Sequence, residues 1–301
     1  MHKIGIIGLG NVGTTVAHIL LMKGLVDELV FIDENEKKVT AEYFDFNDSF
    51  ARTEQSAVIK MNDYSELKDV DIVVTSFGDI GATARTNDRF AELPINKRNA
   101  KNVGEKIKQS GFNGILLNIS NPCDVIVGIL QQVTGLTRDH VFGTGTFLDT
   151  ARMQRAVGAH FGEAPQNVSG YVLGEHGNSQ FTAWSTVKID GQPLVSLAEE
   201  GKVDLAQIDE QSREGAFKVI SGKGYTSFAI ATCAVRIIEA IFNNRHEFMP
   251  ASVYLADYDC YIGYPAIIGK NGIERIQKIE LTGKELALLE NSVKTIKEKA
   301  K

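Results

Sequence analysis

The chain has 301 residues, of which 43% are hydrophobic and 23% charged, and its formal net charge is −6. This length allows two domains with a large core, while the acidic balance and the lack of a basic run exclude nucleic acid as an expected partner. No apolar run approaches the roughly 20 residues of a membrane span. The first residues enter a strand directly, and Cys123, Cys233 and Cys260 form no disulfide or metal-site spacing. We therefore expect a cytoplasmic protein without membrane contact or bound metal.

Short apolar strands alternate with helical patterns through the first half of the chain. This alternation is typical of βαβ units and predicts an α/β fold with a doubly wound parallel sheet. We place the strands at residues 4–8, 29–32, 57–60, 71–75, 114–118 and 141–142, and the helices at 14–23, 36–50, 89–109 and 124–133.

The first strand runs into three glycines with the spacing Gly8-x-Gly10-x-x-Gly13, and a helix follows. A dinucleotide pyrophosphate needs such a turn, because its phosphates approach bare backbone at a helix N-terminus. The motif, which includes Asn11 and Val12, predicts a Rossmann-type cofactor site. An ordinary strand-to-helix turn is the alternative.

The second strand ends in Asp33, twenty residues after Gly13. A carboxylate at this place accepts the ribose hydroxyls of NAD and repels the 2′-phosphate of NADP, so we predict NAD. The alternative for Asp33 is a cap for the next helix.

Further polar residues follow the other strands of this predicted rim. Thr75 ends the fourth strand, and the loop 78–88 begins at Gly78 and leads to Arg89. This loop is either a mobile lid or a surface loop without a catalytic role. Asn121, shortly after the fifth strand, is either a substrate contact or a turn residue before proline.

The second half changes to a pattern of longer strands, which predicts an α+β substrate domain with antiparallel strands. We place the domain boundary after residue 143, giving a cofactor domain at 1–143 and a substrate domain at 144–301. The strands are expected at 168–173, 181–189, 253–255, 261–268 and 273–279, and the helices at 148–161, 204–217, 225–242 and 284–299.

Three residues of this half carry the expected chemistry. Asp149 and Arg152 are three positions apart on one helix face, and His176 lies between two glycines after a strand. Reduction of a 2-oxo acid needs a guanidinium for the carboxylate, a second cation for the ketone oxygen, and a histidine oriented by a carboxylate as proton donor. Arg152, Arg89, His176 and Asp149 fit these roles. An intrahelical salt bridge and a turn histidine are the alternatives.

The segments Asp149-Thr150-Ala151-Arg152 and Gly174-Glu175-His176-Gly177 resemble the two motifs of the L-lactate/L-malate dehydrogenase family. The segment Ile119-Ser120-Asn121-Pro122-x-Asp124 and Thr226 also match, in family order and over nearly the whole chain. The resemblance implies that Asn121 and Thr226 line the substrate pocket and that Asn121–Pro122 is cis. It further implies cofactor contacts from Thr75, Gly78, Ile119, Asn121 and Ile230, and a homodimer or homotetramer.

The lid differs from the family pattern. Relatives carry a glutamine or arginine that distinguishes lactate from malate enzymes, whereas counting from either end of this longer loop reaches Gly81 or Thr83, with Arg85 off register. Because a dicarboxylate clamp is missing, we expect a 2-oxo acid with a larger aliphatic side chain. Segments such as Gly177-Asn178-Ser179-Gln180-Phe181 most resemble the L-2-hydroxyisocaproate dehydrogenases. L-lactate and then malate dehydrogenase are the alternatives, and an NAD-binding sensor without catalysis is the alternative from another class.

Overall fold

The computed structural model describes residues 1–78 and 92–301. The predicted lid, with Gly81, Thr83, Arg85 and Arg89, therefore lies outside the described residues except for Gly78. Helices in the described part are α1 (Asn11–Met22), α2 (Glu36–Ser49), α3 (Leu93–Ser110), α4 (Cys123–Thr134), α5 (Phe147–Phe161), α6 (Leu194–Glu199), α7 (Leu205–Lys223), α8 (Phe228–Phe242) and α9 (Gly283–Ala300). The strands are β1 (Lys3–Ile7), β2 (Glu28–Ile32), β3 (Val58–Met61), β4 (Ile72–Thr75), β5 (Ile115–Asn118), β6 (Val141–Gly143), β7 (Val168–Leu173), β8 (Phe181–Ile189), β9 (Gln192–Pro193), β10 (Glu247–Leu255), β11 (Cys260–Gly269) and β12 (Gly272–Ile276).

A parallel sheet forms the centre of the first half. Its strands lie in the order β3-β2-β1-β4-β5-β6, all parallel, with helical connections between them. Strands β1, β2, β4 and β5 are buried along nearly their whole length, as expected for a parallel sheet covered on both faces. The strand order reverses between β1 and β4, and ligands of such sheets collect at that point, beyond the strand C-termini.

The same sheet continues into the second half of the chain. Strand β10 pairs antiparallel with β6 through Ser252 and Gly143, and β11 and β12 follow, so that the sheet contains nine strands from the described part of the chain. Strands β7, β8 and β9 form a separate antiparallel sheet. The predicted fold class is confirmed, with the addition that β10–β12 extend the parallel sheet. The division at residue 143 stays a prediction.

Four predicted boundaries in the second half are wrong by three residues or more. Helix α8 begins at Phe228 rather than 225, strand β12 ends at Ile276 rather than 279, and the largest differences concern β10 and α7. Strand β10 begins at Glu247 rather than at 253, and its Pro250 lies opposite Pro265 of β11. Prolines argue against an inner strand because they donate no ladder hydrogen bond, and here the contact of β10 with β6 is confined to Ser252. Helix α7 extends to Lys223 rather than 217, where Gly224 caps it with a φ of 81°.

The largest core joins the two halves. Helix α8 contributes nine buried residues, including Ile237 and Ile238, which are 0% exposed. Its partners in the core include α1, β11 and α5. No single described helix has the length and apolar character of a membrane span, although the pair α7 and α8, bent by 118°, passes this test when taken together.

Candidate active site

The glycine turn after β1 has the geometry that a dinucleotide site requires. Gly8 has a φ of +97°, and a Cβ there would lie 2.6 Å from the backbone of Ser76. A Cβ on Gly13 would lie 2.0 Å from the carbonyl oxygen of Gly8, so helix α1 packs directly on the turn. By contrast, a Cβ on Gly10 would meet no atom within 4 Å. The turn is therefore closed where helix meets strand and open where a pyrophosphate approaches.

A cleft of about 460 Å³ extends from this turn along the C-terminal edge of β1 and β2. Gly8, Gly10, Asp33 and Gly78 line it, together with Tyr64. Of the other predicted cofactor residues, Asn11 is exposed and Val12 is partly buried beside the turn. Thr75 does not reach the cleft with its side chain, because it is fully buried and its hydroxyl donates to Asn118 at 2.9 Å.

Asp33 connects the turn to the second strand. Its Oδ2 accepts a hydrogen bond from the backbone N–H of Leu9 at 2.8 Å, and its Oδ1 accepts one from Asn35 N–H at 2.9 Å. Asn35, rather than Asp33, caps helix α2. The carboxylate thus braces the glycine turn on one side while facing the cleft, which fits the ribose contact of NAD.

A second cavity, of about 130 Å³, lies between the two halves of the chain. Six predicted site residues line it, namely Ile119, Asn121, Arg152, His176, Thr226 and Ile230. Thr144, Leu148, Ala216 and Ile220 complete much of its wall. The Asn121–Pro122 bond is cis, as the family resemblance implied. Chain segments more than 100 positions apart therefore meet at one cavity.

Asp149 lies directly behind the cavity and joins its two functional side chains. Its Oδ2 lies 2.5 Å from Nδ1 of His176, and its Oδ1 accepts from Nη1 of Arg152 at 2.9 Å. The carboxylate comes from the first turn of α5 and is only 2% exposed. The expected intrahelical pair of Asp149 and Arg152 exists, but it is also part of the site.

Gln180 is a further neighbour of Asp149 that the sequence did not single out for this contact. With its amide nitrogen turned towards the carboxylate, it lies 2.9 Å from Oδ2 and 3.1 Å from Oδ1. This assignment is the one that places a donor against these acceptors. Asp149 therefore receives hydrogen bonds from three side chains around a buried carboxylate.

The surroundings of His176 favour its protonated form. Burial lowers the pKa of His176, but the charge of Asp149 and its hydrogen bond to Nδ1 raise it, and the net pKa is above the ordinary value. Arg152 opposes this rise and Asp124 adds to it. A protonated imidazole, with Asp149 on Nδ1, presents Nε2–H as a donor at the cavity.

Asp124 is a second carboxylate near the histidine, and its contact was missed by sequence reasoning. It is 3% exposed, and its Oδ2 accepts from the backbone N–H of His176 at 2.9 Å. The motif around Asn121 contains Asp124, but nothing in the local pattern indicates a partner 52 positions away. Within the described residues, no group of three or more His, Cys, Asp or Glu residues has an arrangement able to hold a metal ion.

The parallel sheet with its glycine turn and the acid–base pair at the second cavity define an NAD-dependent oxidoreductase that acts on CH–OH groups. Comparison with protein-family models assigns the chain to a family. The model for the NAD-binding domain of lactate/malate dehydrogenase matches residues 2–143, and the model for the alpha/beta C-terminal domain of the same proteins matches residues 146–301. The chain belongs to the lactate/malate dehydrogenase family.

Individual relatives are similar to this chain over nearly its full length. The chain is 35% identical to an L-lactate dehydrogenase of Bacillus caldolyticus over 305 residues, which cover 98% of this chain and 95% of the relative. The lactate dehydrogenase of Cryptosporidium parvum, solved with lactic acid and nicotinamide adenine dinucleotide, matches with a TM-score of 0.93 and 31% identity, covering 99% of this chain and 96% of that one. The malate dehydrogenase of the same organism gives a TM-score of 0.91 and 29% identity, covering 99% and 98%. NAD is the cofactor of this family, as predicted. These names favour the L-lactate alternative over the predicted hydroxyisocaproate specificity.

Proposed function

We propose that this protein is an NAD-dependent L-2-hydroxyacid dehydrogenase that interconverts pyruvate and L-lactate. The observation that carries the proposal is the joint arrangement of His176, Asp149 and Arg152 at one cavity between the two halves. The full-length relationship to proteins named L-lactate dehydrogenase supports the choice of substrate.

In this proposal Arg152 binds the substrate carboxylate. Its side chain is 17% exposed and lies on the cavity wall, while its Nη1 is held by Asp149. A guanidinium fixed in this way offers its remaining N–H groups in one plane, which suits a carboxylate. Asn121 and Thr226 line the same cavity and are proposed as contacts to the ketone oxygen and the substrate side chain.

His176 is the proposed acid and base. During reduction its Nε2–H donates a proton to the ketone oxygen, and Asp149 stabilises the imidazolium before transfer. During oxidation neutral Nε2 takes the proton from the hydroxyl. Bound NADH supplies the hydride. Arg89, outside the described residues, is proposed as the cation that polarises the ketone.

The cofactor is proposed to extend from the glycine turn to the second cavity. Gly8, Gly10, Asn11, Val12 and Gly13 form the pyrophosphate turn, and a helix N-terminus at Asn11 favours the phosphate charge. The contacts proposed for the remainder of the cofactor come from Asp33, Thr75, Gly78, Ile119, Asn121 and Ile230. The hydroxyl of Thr75 already donates to Asn118 inside the protein. Thr75 is therefore proposed to contact the cofactor through its backbone, or to act indirectly by orienting Asn118.

A larger aliphatic 2-oxo acid is the second candidate substrate. Two observations favour it: the lid sequence carries no glutamine or arginine at the expected count, and Leu148, Ala216 and Ile220 give the cavity an apolar wall. Among the described residues lining the cavity, Arg152 is the one with a guanidinium or ammonium group, which argues against a dicarboxylate such as oxaloacetate. Cytoplasmic residence and a homodimer or homotetramer remain predictions.

A substrate panel tests the proposal. Oxidation of NADH is followed at 340 nm with pyruvate, 2-oxoisocaproate, phenylpyruvate and oxaloacetate, and kcat/KM is compared. The highest value with pyruvate supports lactate dehydrogenase, and the highest with 2-oxoisocaproate supports the second candidate. A preference for oxaloacetate contradicts both. Binding of NADH without turnover of any acid would instead support the sensor.

A further inference from the structure

Asp124 occupies an unusual position beneath the proposed proton donor. It lies in the first turn of α4, while His176 follows β7 and Ser252 belongs to β10. Its Oδ2 accepts from the His176 backbone N–H at 2.9 Å, and its Oδ1 accepts from Ser252 Oγ at 2.6 Å. One carboxylate thus ties three segments from both halves of the chain at the floor of the site.

A carboxylate buried to this degree needs compensation. Burial raises the pKa of Asp124 to about 6, and Glu175 adds to the rise. The hydrogen bonds from Ser252 and from His176 N–H, together with the positive charge of the imidazolium, act in the opposite direction. Since burying an uncompensated charge is costly, a simple structural tie would be met more cheaply by a neutral acceptor. We therefore expect the negative charge of Asp124 to have a role beyond holding the segments together.

We propose that Asp124 is a positioning residue for the reaction: it fixes the backbone of His176, and its negative charge stabilises the protonated imidazole. His176 would then lie between two carboxylates, with Asp149 on its ring and Asp124 on its backbone. The inference rests on the proposed role of His176 as proton donor. It adds a second source of negative charge, from the opposite half of the chain, to the pair of Asp149 and His176.

The other charged and titratable groups near this pair set the background. Around His176, the described groups are Asp149 and Arg152 of α5, Glu175 on the same segment, Glu92 before α3 and Cys233 of α8. Around Asp124 they are His176, Glu175, Cys123 of α4 and Cys260 of β11. Burial raises the pKa of each of these cysteine thiols to about 11 or 12, so they stay neutral in the range tested.

The variant Asp124→Asn separates charge from shape. Its amide oxygen can accept from His176 N–H, and its amide nitrogen can donate to Ser252 Oγ, so both contacts survive while the negative charge is lost. We expect the pKa that limits kcat/KM for pyruvate reduction to fall by about one unit. The affinity for NADH should stay unchanged, because Asp124 lines neither the glycine turn nor its cleft.

Two further variants separate the effect of the charge of Asp124 from the effect of its hydrogen bonds. Ser252→Ala removes the partner of Oδ1, and because that hydrogen bond holds the pKa of Asp124 down, the variant weakens the negative charge without removing it. We expect the limiting pKa of reduction to shift in the same direction as in Asp124→Asn, but by less. Asp124→Ala removes both contacts and the charge, and we expect kcat to fall by about tenfold or more, with the same direction of pKa shift. Thermal unfolding of each variant shows whether it still folds.

The imidazole of His176 is also titrated directly by NMR with labelled histidine, assigned by its loss in His176→Gln. A lower ring pKa in Asp124→Asn supports the inference even if no 2-oxo acid is turned over, which would refute the proposed function alone. Superimposable titrations and pH profiles of Asp124→Asn and the parent protein would overturn the inference, leaving Asp124 a structural tie.

Discussion

Asp149 and His176 are 27 positions apart in the chain, and Oδ2 of the one lies 2.5 Å from Nδ1 of the other. The contact joins the first turn of α5 to the segment that follows β7, so the packing of these elements sets the orientation of the imidazole. Since Nδ1 is occupied by the carboxylate, Nε2 is left to face the cavity. A buried acid thus fixes which nitrogen of the histidine exchanges a proton.

Replacing the carboxylate of Asp149 should therefore lower the catalytic rate while leaving the stability of the fold largely unchanged. In Asp149→Asn the amide cannot stabilise the imidazolium, and we expect kcat/KM for pyruvate reduction to fall by about 10²- to 10⁴-fold, the range of general acid catalysis. Steady-state kinetics at saturating NADH measure the loss. Asp190→Asn is the matched control, because Asp190 is exposed in the turn between β8 and β9 and lines neither the cofactor cleft nor the second cavity. A fall of less than threefold in Asp149→Asn would contradict the assigned role.

The raised pKa of His176 predicts opposite pH profiles for the two directions. Reduction needs the imidazolium, so its kcat/KM should be constant at low pH and fall as the pH rises through the His176 pKa. Oxidation of lactate needs neutral imidazole and should rise through the same pKa. Because Asp149 raises this pKa, both transitions should lie above the ordinary histidine value of about 6.5.

The measurement is kcat/KM in both directions from pH 5 to 10, with NADH binding by fluorescence at each pH as a check on cofactor affinity. In Asp149→Asn, the residual activity should show both transitions at lower pH. If the two directions share no common pKa, or if the transition lies below 6, then His176 is not the group that is titrated.

Local patterns were sufficient to predict the parallel sheet and the glycine turn. Most strands up to Gly143 are short apolar runs followed by a helix, and the preference for short, right-handed connections leaves few ways to arrange such units. The pairing of β10 with β6 was not predicted, because antiparallel partners more than 100 positions apart leave no mark in either segment. Helix α7 was ended too early for another reason: none of its residues after Ala216 is buried, so the periodicity of a buried face does not continue into its last turns.

Site residues could be predicted where the residue type itself indicates a chemical role. They could not be predicted where the role depends on contacts with distant parts of the chain. His176, Asp149 and Arg152 were chosen by chemical role and family resemblance, and they lie together. Thr75 shows the limit: all four residues of β4 are buried, so the sequence did not reveal that its hydroxyl faces Asn118 rather than the cofactor cleft. Asp124 and Gln180 are brought to His176 and Asp149 by the packing of distant segments, which no local sequence pattern indicates.

Asp33 should control the choice between NADH and NADPH. In Asp33→Asn the amide oxygen can still accept from Leu9 N–H, but the hydrogen bond from Asn35 N–H and the charge that repels a 2′-phosphate are both lost. We expect KM for NADH to rise and the ratio of kcat/KM for NADH over NADPH to fall by about tenfold or more. The KM and the ratio both come from kinetics with each cofactor at saturating pyruvate. An unchanged ratio would show that Asp33 only braces the turn.

Two of the three glycines of the turn, Gly10 and Gly13, should differ in how alanine affects the stability of the fold. A Cβ on Gly13 would lie 2.0 Å from the carbonyl oxygen of Gly8, and because this atom is backbone, helix α1 must shift to admit it. Overpacking of this kind costs about 1–3 kcal/mol, so Gly13→Ala should lower the free energy of unfolding and weaken NADH binding. Gly10 has open space and a φ of −71°, so Gly10→Ala should keep the stability of the parent protein.

Gly10→Ala should nevertheless weaken NADH binding, because the new methyl group points into the space that a pyrophosphate needs. Urea denaturation measures the first effect, and fluorescence titration with NADH the second. The pair is decisive because one variant changes both quantities and the other only affinity. If Gly10→Ala binds NADH as tightly as the parent protein, the pyrophosphate does not lie against this turn, and the assignment of the cofactor cleft is wrong.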